Sequence, residues 1–156
     1  MKLNNLFADP ITLGAITGIV ANIPKEIMKL IFQQFGWQRY SYTQIAAGLF
    51  VPQDLVSNPL SLIFGAITDL TVAASLGVLT VYIIKNTGDD YPLFKGLLVG
   101  MMSYIFLYGL ILELDITSTS VATPLPNFLA LIQHIIFGLI MGWFIKRFGK
   151  LKTPEI

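Results

Sequence analysis

Four long stretches of this chain are continuously apolar, and each can cross the hydrocarbon core of a bilayer. The core is ~30 Å thick and takes about 20 residues of helix to span. The stretches run Pro10–Phe35, Pro59–Ile84, Pro92–Leu112 and Pro126–Ile145. None alternates polar with apolar residues at a period of two, so a membrane β-barrel is disfavoured. Charged residues make up only 12% of the 156-residue chain, too little to cover a soluble core of this apolarity. The expected fold is therefore all-α: a single transmembrane domain over residues 1–156, with four spanning helices in a bundle.

Local signals place the helix starts. Asp9-Pro10 and Asn58-Pro59 each set a capping side chain before a proline at the first helical position. Asp90-Tyr91-Pro92 is a looser version of the same arrangement. Lys2 begins the chain weakly positive, but Asp9-Pro10 interrupts before the apolar run, and no small-residue cleavage site precedes a mature domain. The first helix is therefore expected to be retained rather than removed as a signal peptide.

Basic residues give the orientation. The connection Asp115–Leu125 holds no Lys or Arg, whereas the C-terminal segment carries Lys146, Arg147, Lys150 and Lys152. Lys85 and Lys95 flank the second connection. Positive residues collect on the cytoplasmic side, so both termini are expected inside, in a cytoplasmic (inner) membrane. The first connection, Gly36–Asn58, is rich in aromatics (Trp37, Tyr40, Tyr42, Phe50) and contains the apolar run Ile45–Val51. It reads either as an interfacial or re-entrant helix on the outer face or as a plain loop.

Each span also carries a small-residue stripe. The pairs are Gly14/Gly18, Gly65/Asp69, Gly96/Gly100 and Gly138/Gly142. Glycines four apart let helix backbones approach closely inside a membrane. The same stripes hold the few polar groups of the spans: Asn22, Lys25, Glu26, Lys29 and Gln33 in the first, and Asp69 in the second. The third adds Tyr104 and Tyr108, and the fourth Gln133 and His134. By depth these fall together in the outer half, with Lys25 and Glu26 roughly 5 Å past the midpoint of the first span. Lys29 is expected to snorkel toward the outer interface and Lys95 toward the inner one. Pro24 removes a backbone hydrogen bond in mid-span, where a kink is expected.

Ionisable groups at membrane depth need a partner or water, and they mark ion and proton pathways. One expectation is thus a transporter- or channel-like protein in which Asn22, Lys25, Glu26, Asp69, Tyr104 and His134 line a route for protons or a cation. The same side chains also serve as polar glue between helices. In that case the chain is a non-catalytic scaffold or accessory subunit whose glycine faces dock a larger membrane partner.

Other classes find less footing. The chain lacks cysteine, a helical zinc motif, a nucleophile elbow and a phosphate-binding glycine loop. No catalytic residue, metal site or cofactor is assigned, and an enzyme is not expected. A net charge of +1 argues against nucleic acid as a partner. The expected partners are the lipid bilayer and further copies of the chain or a larger membrane complex.

Three motifs carry a family likeness: Gly14-x-x-x-Gly18 followed by Lys25, Lys95-Gly96-x-x-x-Gly100, and His134-x-x-x-Gly138-x-x-x-Gly142. On them the layout resembles the small bacterial inner-membrane proteins of the YagU and YqhR type. The resemblance implies a bacterial membrane location and no assigned activity.

Overall fold

The structure, a computed structural model, describes residues 7–119 and 123–150. Its long elements are α1 (Pro10–Gln34), α3 (Pro59–Thr87), α4 (Pro92–Met102) and α6 (Pro124–Phe148). Helix α4 continues through a π-helical segment, Ser103–Gly109, into α5 (Leu110–Glu113), so the three form one composite helix. A short helix, α2 (Tyr42–Ala47), and a 3-10 turn, Gln53–Leu55, lie between α1 and α3. Among the described residues there is no strand.

Three of these helices are long and apolar enough to cross a membrane: Pro59–Thr87, Pro92–Glu113 and Pro124–Phe148. Helix α1 has comparable reach, about 37 Å at 1.5 Å per residue. It differs in carrying Lys25, Glu26 and Lys29, and both of its lysines are buried. Its outward face is Ile11, Ile19, Ile23, Ile27 and Ile31, all well exposed. Apolar residues outside and ionisable residues inside reverse the soluble pattern, and an apolar flank of this kind marks a surface meant for lipid or protein.

The caps follow the sequence signals. The Asp9 carboxylate accepts from the Thr12 N–H at 2.7 Å, which holds its carboxyl below the usual carboxylate range. Asn58 accepts from the Leu60 N–H at 3.0 Å. Tyr91 starts α4 in the left-handed region with no side-chain bond. Helix α6 begins at Pro124, two residues before the expected Pro126, because either proline fits a first turn that makes no backbone bond there. Helix α1 runs on through Pro24.

The bundle is built from two tightly joined pairs, α1 with α3 and α4 with α6, and α1 also packs on α6. Glycine makes both joints. A Cβ on Gly18 would strike the backbone of Ala73 and Ala74, and one on Gly14 that of Gly77 and Val78. Across the other joint Gly96 and Gly100 oppose Gly138 and Gly142, again backbone against backbone. Gly65 departs from expectation: it meets the Thr43 carbonyl of α2 rather than another span, and Gly77 is the α3 glycine that receives α1. Helices α3 and α4, although joined by a short turn, touch much less.

The first connection forms ordered structure. Ser41 and Gln44 build a capping box: the Ser41 hydroxyl accepts from the Gln44 N–H at 3.1 Å, and the Gln44 amide oxygen accepts from the Ser41 N–H at 2.8 Å. This starts α2, which packs on α3 and buries Tyr42, Ile45 and Ala47 with Tyr108 of the π-helical segment and Ala130 of α6. At the opposite end Lys95 donates to the carbonyls of Thr87 and Gly88, closing the C-terminus of α3.

Candidate functional site

The buried polar groups collect under α2. On α1 the face that turns inward runs Gly14, Gly18, Ala21, Asn22, Lys25 and Lys29. Lys25 donates to one Asp69 oxygen at 3.3 Å, and the Asn22 amide donates to the other at 2.5 Å. The ion pair is shielded, with the two side chains only 8% and 13% exposed. The Lys25 ammonium also stands 4.0 Å from the centre of the Tyr42 ring, where the π face attracts a cation. Asp69 thus meets two α1 groups, Asn22 and Lys25, and α2 reaches the pair through Tyr42 on Lys25.

Glu26 goes elsewhere. Its carboxylate accepts from the Thr43 hydroxyl at 3.1 Å and the Thr43 N–H at 3.4 Å, and its second oxygen has no partner. Its hydrogen bonds thus anchor the start of α2 and do not reach Asp69 or His134. Lys29 does not snorkel to the interface. Its ammonium is wholly buried without a hydrogen-bond partner, 4.5 Å from the Tyr42 ring centre and 5.7 Å from that of Tyr108. The reason is long-range: α2 packs on α3, and from there its Tyr42 ring covers the Lys29 ammonium.

His134 forms the far wall. Its Nδ1 is 2.7 Å from the Ala130 carbonyl, which can only accept, so Nδ1 carries the proton and Nε2 is left as an acceptor. Three tyrosine rings surround it, those of Tyr42, Tyr104 and Tyr108, with ring centres 5.6 to 5.7 Å away. Tyr104 donates to the Asn127 carbonyl at 3.2 Å, whereas the Tyr108 hydroxyl is buried and unpartnered. The rings of Tyr104 and Tyr108 stack 5.8 Å apart on the π-helical segment. Segments of this type recur at functional sites because the wider turn re-aims side chains.

A side-chain chain not expected from the sequence closes the α2 end. The Tyr42 hydroxyl donates to Gln133 at 2.6 Å, Gln133 to Gln38 at 3.1 Å, and Gln38 to the Pro126 carbonyl at 3.0 Å. Tyr42 is therefore central to the site, touching Lys25, Lys29, His134 and Gln133. The only sequence signal for its placement was the Ser41-x-x-Gln44 capping box beside it.

Between α3 and the composite helix lies a cavity of about 100 Å³ that reaches this cluster. Lys25, Asp69, Tyr108 and His134 line its polar part, and Leu49, Val72, Leu76, Leu107 and Ile111 much of the rest. No group of three His, Asp or Glu placed to hold a metal ion occurs among the described residues. Comparison of the chain with protein-family models, curated proteins and solved structures finds no match.

Proposed function

We propose that the chain is a small four-span membrane protein of transporter- or channel-like kind, with both termini on the cytoplasmic side. In this reading the cluster under α2 handles a proton or a cation. The observation that carries it is the cavity: it leads to the Lys25–Asp69 pair and to His134, groups that can exchange a proton or meet a cation. Helix α1 is the fourth span, its charges sheltered by the other helices. The orientation is supported by Lys85, Lys95, Lys146 and Arg147, which gather away from α2. By that orientation the cluster lies in the outer half.

The scaffold alternative needs a glycine stripe free on the outside of the bundle. Gly14, Gly18, Gly65, Gly96, Gly100, Gly138 and Gly142 all face backbone of this same chain, which weighs against that reading.

Proton and cation flux into proteoliposomes tests the proposal, with wild type set against Asp69→Asn and His134→Ala. Flux in wild type that both variants lose supports a pathway. A silent wild type, with variants that are merely less stable, returns the cluster to a structural role.

A further inference from the structure

The cavity between α3 and the composite helix is small, largely apolar, and polar at one end. At that end the hydroxyl hydrogens are already spent. Ser103 donates to the Gly100 carbonyl at 2.7 Å and Thr68 to that of Phe64 at 2.9 Å, so each keeps only lone pairs for a further partner. His134 lines the same space, 5% exposed, and its Nε2 is an acceptor that nothing among the described residues satisfies. Lys25 is the one donor there with hydrogens to spare, since its only hydrogen bond goes to Asp69. The Tyr108 hydroxyl is closed off from the cavity, and the Lys29 ammonium does not line it. Val72 is 39% exposed and Leu107 37%, so the mouth lies on the flank of the bundle, which in a membrane faces hydrocarbon.

We propose that the cavity binds a small uncharged amphiphile with one hydroxyl, a phenol or short alkanol, arriving through the bilayer. The hydroxyl donates to His134 Nε2, and the hydrocarbon lies among Val72, Leu76, Leu107 and Phe137. A hydroxyl suits this inventory because it donates and accepts with one atom and carries no charge. A carboxylate has no hydrogen for Nε2 and would add a second anion beside Asp69. An alkylammonium would set a second cation beside Lys25, whose Asp69 partner is already engaged. Size points the same way. The cavity holds about 100 Å³, of the order of the ~150 Å³ apolar cavity that takes benzene, so one ring or a short chain fills it. The inference takes its bilayer setting from the membrane reading and goes beyond the pathway. A phenol seated there stands between the mouth and the Lys25–Asp69 pair, and so blocks any flux that runs through the cavity.

The test is fluorine NMR of 4-fluorophenol with the full chain in nanodiscs, with empty nanodiscs as the lipid background. Two analogues are compared with it: 4-fluorotoluene, which has a methyl in place of the hydroxyl, and 4-fluoroanisole, whose oxygen only accepts. Saturable broadening by 4-fluorophenol is expected. At equal concentration in the bilayer the analogues should bind about three- to ten-fold less tightly, the size of one net hydrogen bond. His134→Phe keeps a ring in place and removes the acceptor. It should lower 4-fluorophenol to the level of 4-fluorotoluene, whose own binding persists and shows that the cavity survives. Val72→Trp, which fills the mouth, should abolish binding of both. Either analogue binding as tightly as 4-fluorophenol to wild type would show that the hydroxyl is not read and overturn the proposal, with no variant needed. So would the absence of saturable binding, or a His134→Phe chain that still prefers the phenol. Binding of 4-fluorophenol without any ion or proton flux sinks the pathway reading and leaves this one standing. Flux in a chain that does not bind 4-fluorophenol does the reverse.

Discussion

Lys25 and Asp69 meet 3.3 Å apart inside the bundle and are the one ion pair that ties α1 to α3 among the described residues. The pair sits where α1 has already closed on α3 through Gly14 and Gly18, so its two charges are held out of solvent by backbone packing. Asn22 adds the second hydrogen bond that a buried carboxylate needs.

Breaking this pair from one side should be far worse than removing it whole. Lys25→Met leaves the Asp69 charge buried with only an amide beside it, a loss of about 3–5 kcal/mol for a buried pair. The double variant Lys25→Met/Asp69→Leu removes the charge as well and should recover most of that. Thermal unfolding in detergent measures both. Equal melting temperatures for the single and double variants would mean that water, not Lys25, stabilises Asp69.

The glycine joints predict a reversal of helix preference. Alanine is the better helix former by about 1 kcal/mol, yet a Cβ at Gly138 would lie 2.6 Å from the Gly96 carbonyl oxygen and 2.9 Å from the Leu97 Cα. Neither atom can move without shifting α4. Gly138→Ala should therefore destabilise by about 1–3 kcal/mol, as overpacking does. A variant as stable as wild type would show that α4 and α6 are not pressed backbone to backbone.

Tyr42 and Tyr108, both buried, should behave oppositely. Tyr42→Phe strips the donor from Gln133 and leaves a buried amide oxygen unsatisfied, costing about 1–3 kcal/mol. Tyr108→Phe removes a hydroxyl that has no partner, and stability should hold or rise slightly. Chemical denaturation of the two variants side by side separates the roles. A Tyr108→Phe loss equal to that of Tyr42→Phe would reveal a partner for its hydroxyl.

The long helices were legible because their signal is local. A proline after a capping side chain starts α1 and α3, and an unbroken apolar run carries each onward. The α6 start was ambiguous by two residues for an equally local reason, since Pro124 and Pro126 both suit a first turn. The site was legible only in its membership. Helical spacing put Asn22 and Lys25 on one face and Asp69 on the glycine stripe of α3, but partners across helices follow from how α2 packs on α3. That single placement draws Glu26 to Thr43 and covers Lys29 with Tyr42. The π-helical turn at Ser103–Gly109 has no local signature at all; the sequence there reads as ordinary apolar helix.

Orientation is open to a clean chemical test, because the chain contains no cysteine. Single cysteines can be set at Asp54, Asp89, Glu113 and Lys150, all exposed. With basic residues held on the cytoplasmic side, a membrane-impermeant maleimide added to intact cells should label Asp54→Cys and Glu113→Cys. Asp89→Cys and Lys150→Cys should react only after permeabilisation. Labelling of Asp89→Cys and Glu113→Cys from the same side would mean that the composite helix does not cross, and the four-span reading would fall. The mirror-image result would keep four spans and turn the bundle over. The Lys25–Asp69 pair and the cavity would then lie in the cytoplasmic half, and any solute taken from lipid would come from the inner leaflet.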